Sequence, residues 1–238
     1  MTEMARGTVR RGAWLVAGLV GLLVSASPAR AGYVTAEFLG VGPGLNVGYT
    51  LNGVHSNTSA GQFQWKTIAS DAGFSGQFHT FCIDLTQSIS MGNTYTYNLV
   101  NIDLAPDPGT GTGGSGVDGP MGLNKAQQLR ELWNKFHPLI GNDNLKSAAF
   151  QIAVWDIVYD DFTADAGAAA TLANTWLISL NGLHDKNECA LIALSDPRLQ
   201  DQVTCHDPHE TPVPPTLALA GIGILSLFGY SRPWRRRS

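Results

Sequence analysis

Between residues 33 and 100 apolar and polar positions alternate in short runs, the period of half-buried β-strands. Residues 33–38, 46–51, 61–65, 77–84 and 95–100 are the strands this pattern predicts. Clusters of Gly, Asn and Ser separate them, as in antiparallel meanders. Asn52-Gly53 has the chemistry of a two-residue hairpin turn. Beyond residue 120 the spacing becomes helical. Residues 125–137, capped by Asn124, carry Leu129, Leu132, Trp133 and Phe136 on one face and stop before Pro138. Residues 145–159, capped by Asn144, carry Ala148, Ile152, Trp155 and Tyr159 at helical spacing. An Ala-rich third helix is expected over 164–179. Residues 106–120 read as a Gly/Thr/Asp/Pro connection, and residues 188–205 as a short end piece. The expected fold class is α+β: an antiparallel β-barrel or sandwich part over about residues 33–100, with a helical subdomain over about 124–180.

The two ends depart from this pattern. Residues 1–31 combine a basic start (Arg6, Arg10, Arg11), an apolar run from Ala13 to Val24 and the small-residue sequence Ala29-Arg30-Ala31. That is the layout of a secretory signal peptide cleaved before Gly32. The apolar run is short for a membrane span, which needs about 20 residues. At the other end, Pro212-Val213-Pro214-Pro215 precedes an apolar run from Leu217 to Tyr230, and Arg232, Arg235, Arg236 and Arg237 close the chain. A short apolar helix followed by an arginine stop inserts into a membrane with its basic end in the cytoplasm.

This tail resembles the PEP-CTERM sorting signal of exosortase substrates. Pro212, Val213 and Pro214 stand where that family has Pro-Glu-Pro, with Val in place of Glu, and Arg235, Arg236 and Arg237 match its arginine cluster. The resemblance implies an exosortase-type sorting enzyme as a partner and transient anchoring in the inner membrane through the C-terminal helix. It further implies a final place in the cell envelope or extracellular matrix of a bacterium with an outer membrane. The expected domains are a signal peptide (1–31), one extracellular domain (32–205) and a Pro-rich linker with sorting tail (206–238).

Composition narrows what the central domain does. The chain of 238 residues is only 14% charged, and eight of its 15 basic residues sit in the two terminal segments. From Gly32 to Pro215 seven basic residues face 18 acidic ones, a net formal charge of −11. Such a body repels phosphate, so no nucleic-acid partner is expected. No Gly-x-Ser-x-Gly or His-Glu-x-x-His pattern occurs, and no glycine run directly joins an expected strand to an expected helix as dinucleotide binding requires, so neither an enzyme nor a cofactor is expected. Asp156, Asp160 and Asp161 read as a solvated helix end, matching no calcium loop.

The three cysteines carry the chemistry. Cys189 and Cys205 share one short segment of an exported chain, and a disulfide between them is expected, stabilising by roughly 3 kcal/mol. Cys82 is then left over. Its surroundings, Phe81-Cys82-Ile83-Asp84 on an expected strand, pair with Phe150-Gln151-Ile152-Ala153-Val154-Trp155 on an expected helix. These two motifs resemble those of the thioester domains of bacterial surface adhesins, with Phe150 where Thr is usual. The resemblance implies an internal thioester between Cys82 and Gln151. Phe81, Asp84, Phe150 and Trp155 form its pocket, and an amine-bearing surface partner attacks it. The alternative is a structural or exopolysaccharide-binding matrix protein in which Cys82 packs as a small apolar residue.

Overall fold

The computed structural model of the protein describes residues 32–108, 120–182 and 190–206. The expected leader, the sorting motif (Pro212, Val213, Pro214, Arg235, Arg236, Arg237) and Cys189 lie outside the described residues.

β1 (Tyr33–Leu51) and β2 (Val54–Ser70) form one long antiparallel hairpin. Its turn is Asn52-Gly53. Asn52 at φ 51° and Gly53 at φ 76° both occupy the left-handed region, which gives a turn whose twist matches the flanking strands. Residues 33–38 and 46–51 thus belong to one strand. Between them, Gly40-Val41-Gly42-Pro43-Gly44 has the composition of a turn. The strand instead continues through register shifts at Thr35/Ala36, Phe38/Gly40 and Val41/Gly44. A Cβ on Gly44 would meet the Ala60 carbonyl oxygen at 2.5 Å, so glycine here permits close backbone approach.

β3 (Gln77–Cys82) and β4 (Thr94–Asn101) match the expected strands closely. β5 (Phe162–Ala164) adds to the turn end of β1. β6 (Ala190–Ser195) and β7 (Gln202–His206) come from the expected end piece. The strands of the barrel therefore extend well past residue 100. β1 pairs with β2, β2 with β3, β3 with β7, β7 with β6 and β6 with β4, and β4 returns to β1. Every pair is antiparallel, and the six strands close on themselves, which leaves the ring no free edge. β6 escaped the sequence pattern because Leu191 to Ser195 is buried throughout. A continuous apolar run shows no alternation.

α1 (Gly122–Phe136) starts earlier than expected, with Met121 at its cap position and Asn124 inside its first turn, capping nothing. α2 (Asn144–Val158) is capped by Asp143, not Asn144. Asp143 Oδ1 accepts the backbone N–H groups of Leu145 (2.9 Å) and Lys146 (3.1 Å), two of the donors a helix start leaves open. Asn144 Oδ1 accepts instead from the Gly44 N–H at 3.1 Å, tying the helix to β1. Asp143→Ala should therefore lower the unfolding free energy by about 1 kcal/mol, read as a lower urea midpoint at unchanged slope. An unchanged midpoint would remove Asp143 from this role. α3 (Ala168–Ile178) begins after β5, which takes Ala164, the first residue of the expected helix.

Every residue of α2 from Ser147 to Val158 except Asp156 is buried. The helix packs on β1, β2, β3, α1 and α3. A helix apolar on all sides belongs inside a protein. Barrel and helices share one hydrophobic core rather than forming separate subdomains. That arrangement sets the middle of α2 against the end of β3.

Candidate functional site

β3 ends on Cys82, and Gln151 lies in the middle of α2. The two residues, 69 apart in sequence, face each other in the core. The Cys82 backbone N–H donates to Gln151 Oε1 at 2.9 Å, and Gln151 Nε2 donates to the Cys82 carbonyl oxygen at 2.7 Å. Both residues have 0% exposure. The carboxamide is thus pinned to the N–H and C=O of the residue that carries the thiol, by two bonds made in a dry environment where each matters more.

The thiol itself donates to the Asp84 carbonyl oxygen at 3.0 Å. Burial pushes its pKa far above the ordinary thiol range. The Trp155 side chain opposes that shift, while the Asp84 and Asp201 carboxylates add to it. Trp155 Nε1 is itself buried without a hydrogen-bond partner among the described residues. The sulfur therefore stays protonated at neutral pH. Any attack by it must pass its proton to a neighbour within the site.

All four expected pocket residues are buried. Phe81, Phe150 and Trp155 are 1% exposed or less. The Phe81 and Phe150 rings lie 4.5 Å apart, and Trp133 meets Phe150 edge-on at 5.5 Å. Cys82 and Gln151 are themselves closed off from solvent, at 0% exposure. Asp84 is 4% exposed, and its Oδ1 accepts from both the N–H and the hydroxyl of Thr86 at 2.7 Å, which shapes the turn after β3.

Several residues that hold this site had no signal in the sequence. The Ile83 N–H donates to the Asp201 carbonyl at 3.0 Å, and Gln200 Nε2 donates to the Asp84 carbonyl at 3.0 Å. The Leu85 N–H donates to the Tyr159 hydroxyl at 2.6 Å. The Tyr97 hydroxyl donates to the Gln200 carbonyl at 3.2 Å. Residues 82–85 are thereby clamped from β4, from the end of α2 and from the segment entering β7. The β7 side was illegible because the strand itself was.

Other sequence candidates fare differently. Cys82 is free and Cys205 is disulfide-bonded. Asp160 lies 3.4 Å from Lys125 Nζ, which also bonds the buried Asp107 at 3.0 Å. Among the described residues no group of three or more His, Cys, Asp or Glu is arranged to hold a metal ion. No family model, no curated protein and no solved structure matches the chain.

Proposed function

We propose that this protein attaches covalently to a surface partner through an internal thioester between Cys82 and Gln151, after export and sorting by its terminal signals. The observation that carries this reading is the reciprocal pair of hydrogen bonds between the Gln151 carboxamide and the Cys82 backbone. It ties the carboxamide to the backbone of the residue that bears the thiol and sets its oxygen on a backbone N–H. That donor is positioned to hold the negative charge that develops on the oxygen during attack.

The chemistry balances without a cofactor. Cys82 Sγ bonds to the Gln151 side-chain carbonyl carbon, the C–N bond breaks, and the nitrogen leaves as ammonia with the thiol proton. A primary amine on a partner later attacks the same carbon. An amide forms, the C–S bond breaks and Cys82 recovers its proton. The aromatic walls slow competition from water. Sorting by an exosortase-type enzyme, through Pro212-Val213-Pro214 and the arginine cluster, would deliver this single-use anchor to the envelope or matrix.

Incubation of the folded protein with radiolabelled methylamine should fix about one equivalent per chain, retained after denaturation and absent from Cys82→Ala. No incorporation into the wild type would remove the thioester. One observation favours a second reading. The carboxamide pair is already fully hydrogen-bonded, so Gln151 can serve purely to lock α2 onto β3 in a structural or polysaccharide-binding matrix protein. In that case methylamine leaves the protein unchanged.

A further inference from the structure

The thioester site has no exposure of its own, so a partner's nucleophile needs a way in. A recess of about 90 Å³ lies beside it, walled by Pro106, Pro108 and Pro197 and by the carboxylates of Asp84, Asp196 and Asp201. Its lining includes the two residues whose charges act on the Cys82 thiol, Asp84 and Asp201. Asp84 also supplies the carbonyl to which the thiol donates. The volume accommodates about three waters, or the terminal aminomethyl group of an alkyl chain.

The charges in this recess are unbalanced. Asp84 and Asp201 are 4% and 6% exposed. Asp196 is ion-paired with the exposed Arg198 at 3.2 Å. Among the described residues neither Asp84 nor Asp201 has a basic partner. Buried carboxylates without a counter-ion are costly and are relieved by a cation.

Asp201 is held in place while its charge stays open. Oδ2 accepts from the Ser195 hydroxyl and Oδ1 from the Asp196 N–H, both at 3.0 Å.

We propose that this recess admits the nucleophile as a primary alkylammonium ion, such as a lysine side chain, and that Asp201 takes up its proton. The inference rests on the thioester reading. The Asp201 carboxylate removes one proton from the ammonium, and the amine nitrogen attacks the Gln151 carbonyl carbon. The C–S bond breaks, and the Cys82 thiolate takes a second proton from the nitrogen. An amide, a thiol and a neutral Asp201 carboxyl result, with no change in total charge.

The groups that face Asp201 are Asp84 after β3, Cys82 at its end, Tyr97 on β4, and Ser195 and Asp196 at the end of β6. Burial pushes the Asp201 carboxyl up to about 7, with Asp84 and Asp196 adding to the shift. A proton acceptor with that value suits work at neutral pH.

The test compares methylamine, cationic at neutral pH, with hydroxylamine, which is neutral there. Thioester opening in the full-length protein is followed by intact mass from pH 5.5 to 9. The wild-type rate with methylamine should rise up to about pH 7 and then level off, because cation and carboxylate react together. Asp201→Asn should slow methylamine about tenfold or more at pH 7.5 and leave hydroxylamine within about twofold. A wild-type rate that climbs with free methylamine through pH 9, or an Asp201→Asn protein that keeps the methylamine preference, overturns the inference. If Asp201→Asn fails to fold, the wild-type profile alone decides. A wild type that never shows the ammonia deficit ends the thioester reading and this inference with it. A deficit with a free-amine profile ends this inference alone.

Discussion

Purified wild-type protein should weigh about 17 Da less than its processed sequence requires, the mass of one ammonia, whereas Cys82→Ala should have its full mass. The expectation follows from what surrounds the sulfur. The Gln151 carboxamide has no freedom to turn away, being bonded at 2.9 and 2.7 Å to the N–H and C=O of the residue that bears the thiol. Burial that keeps the thiol protonated also removes the water that would hydrolyse a thioester once formed. Cys82→Ser should likewise keep its full mass, because a hydroxyl is a far weaker nucleophile without a dedicated base. Adding methylamine to the wild type should abolish the deficit and leave the amine's nitrogen and carbon on the protein. Intact-mass spectrometry without amine buffers reads all four results. A wild type at full mass, with a thiol that labels on unfolding, leaves Cys82 as a packed core residue.

In a Cys82→Ala background, where the carboxamide stays intact, Gln151→Ala should be the most destabilising single change in the site, by about 3–5 kcal/mol. It strips the N–H and C=O of residue 82 of their partners where no water reaches, at about 1–3 kcal/mol for each unsatisfied group, and it leaves a cavity in the buried core. Gln151→Glu keeps the shape and tests the chemistry of the pair. A charged carboxylate cannot donate to the Cys82 carbonyl, and its burial is costly. The carboxyl must therefore be protonated in the folded state, which raises its pKa above the ordinary value of about 4.3. With a raised folded pKa, the stability of this variant is highest below that ordinary value. It falls as pH rises toward the raised value, so unfolding in urea should need less denaturant at pH 8 than at pH 5. The wild type has no carboxyl at this position to impose that slope. Equal stability with and without Gln151→Ala in the Cys82→Ala background would deny the hydrogen-bonded pair any structural weight. Neither variant should show the ammonia deficit or bind methylamine.

Much of this site was legible before any coordinates. The strand that carries Cys82 and the helix that carries Gln151 follow from local periodicity, because a half-buried strand and a helix each stamp their period on the chain. The turn at Asn52-Gly53 follows from the left-handed conformations that Asn and Gly accept at low cost. What failed depended on more than local sequence. Gly40 to Gly44 has the composition of a turn, yet Gly44 serves a close strand approach that depends on Ala60, a residue 16 positions away. Asp143 and Asn144 are both good caps, and only the backbone path decides which one meets the free N–H groups.

The sequence by itself determined the α+β class, most element positions, the polarity of the two ends and the residue types able to make a thioester. These are properties of neighbours along the chain, written in period, composition and charge. The tertiary structure alone decided that β6 and β7 close the barrel between β3 and β4, and that Cys82 and Gln151 share a pair of hydrogen bonds. It also decided that Asp201, 119 positions after Cys82, brings an uncompensated carboxylate to the same place. Such facts depend on which distant segments pack together. That choice comes from burying the whole core at once, so no short stretch of sequence carries it.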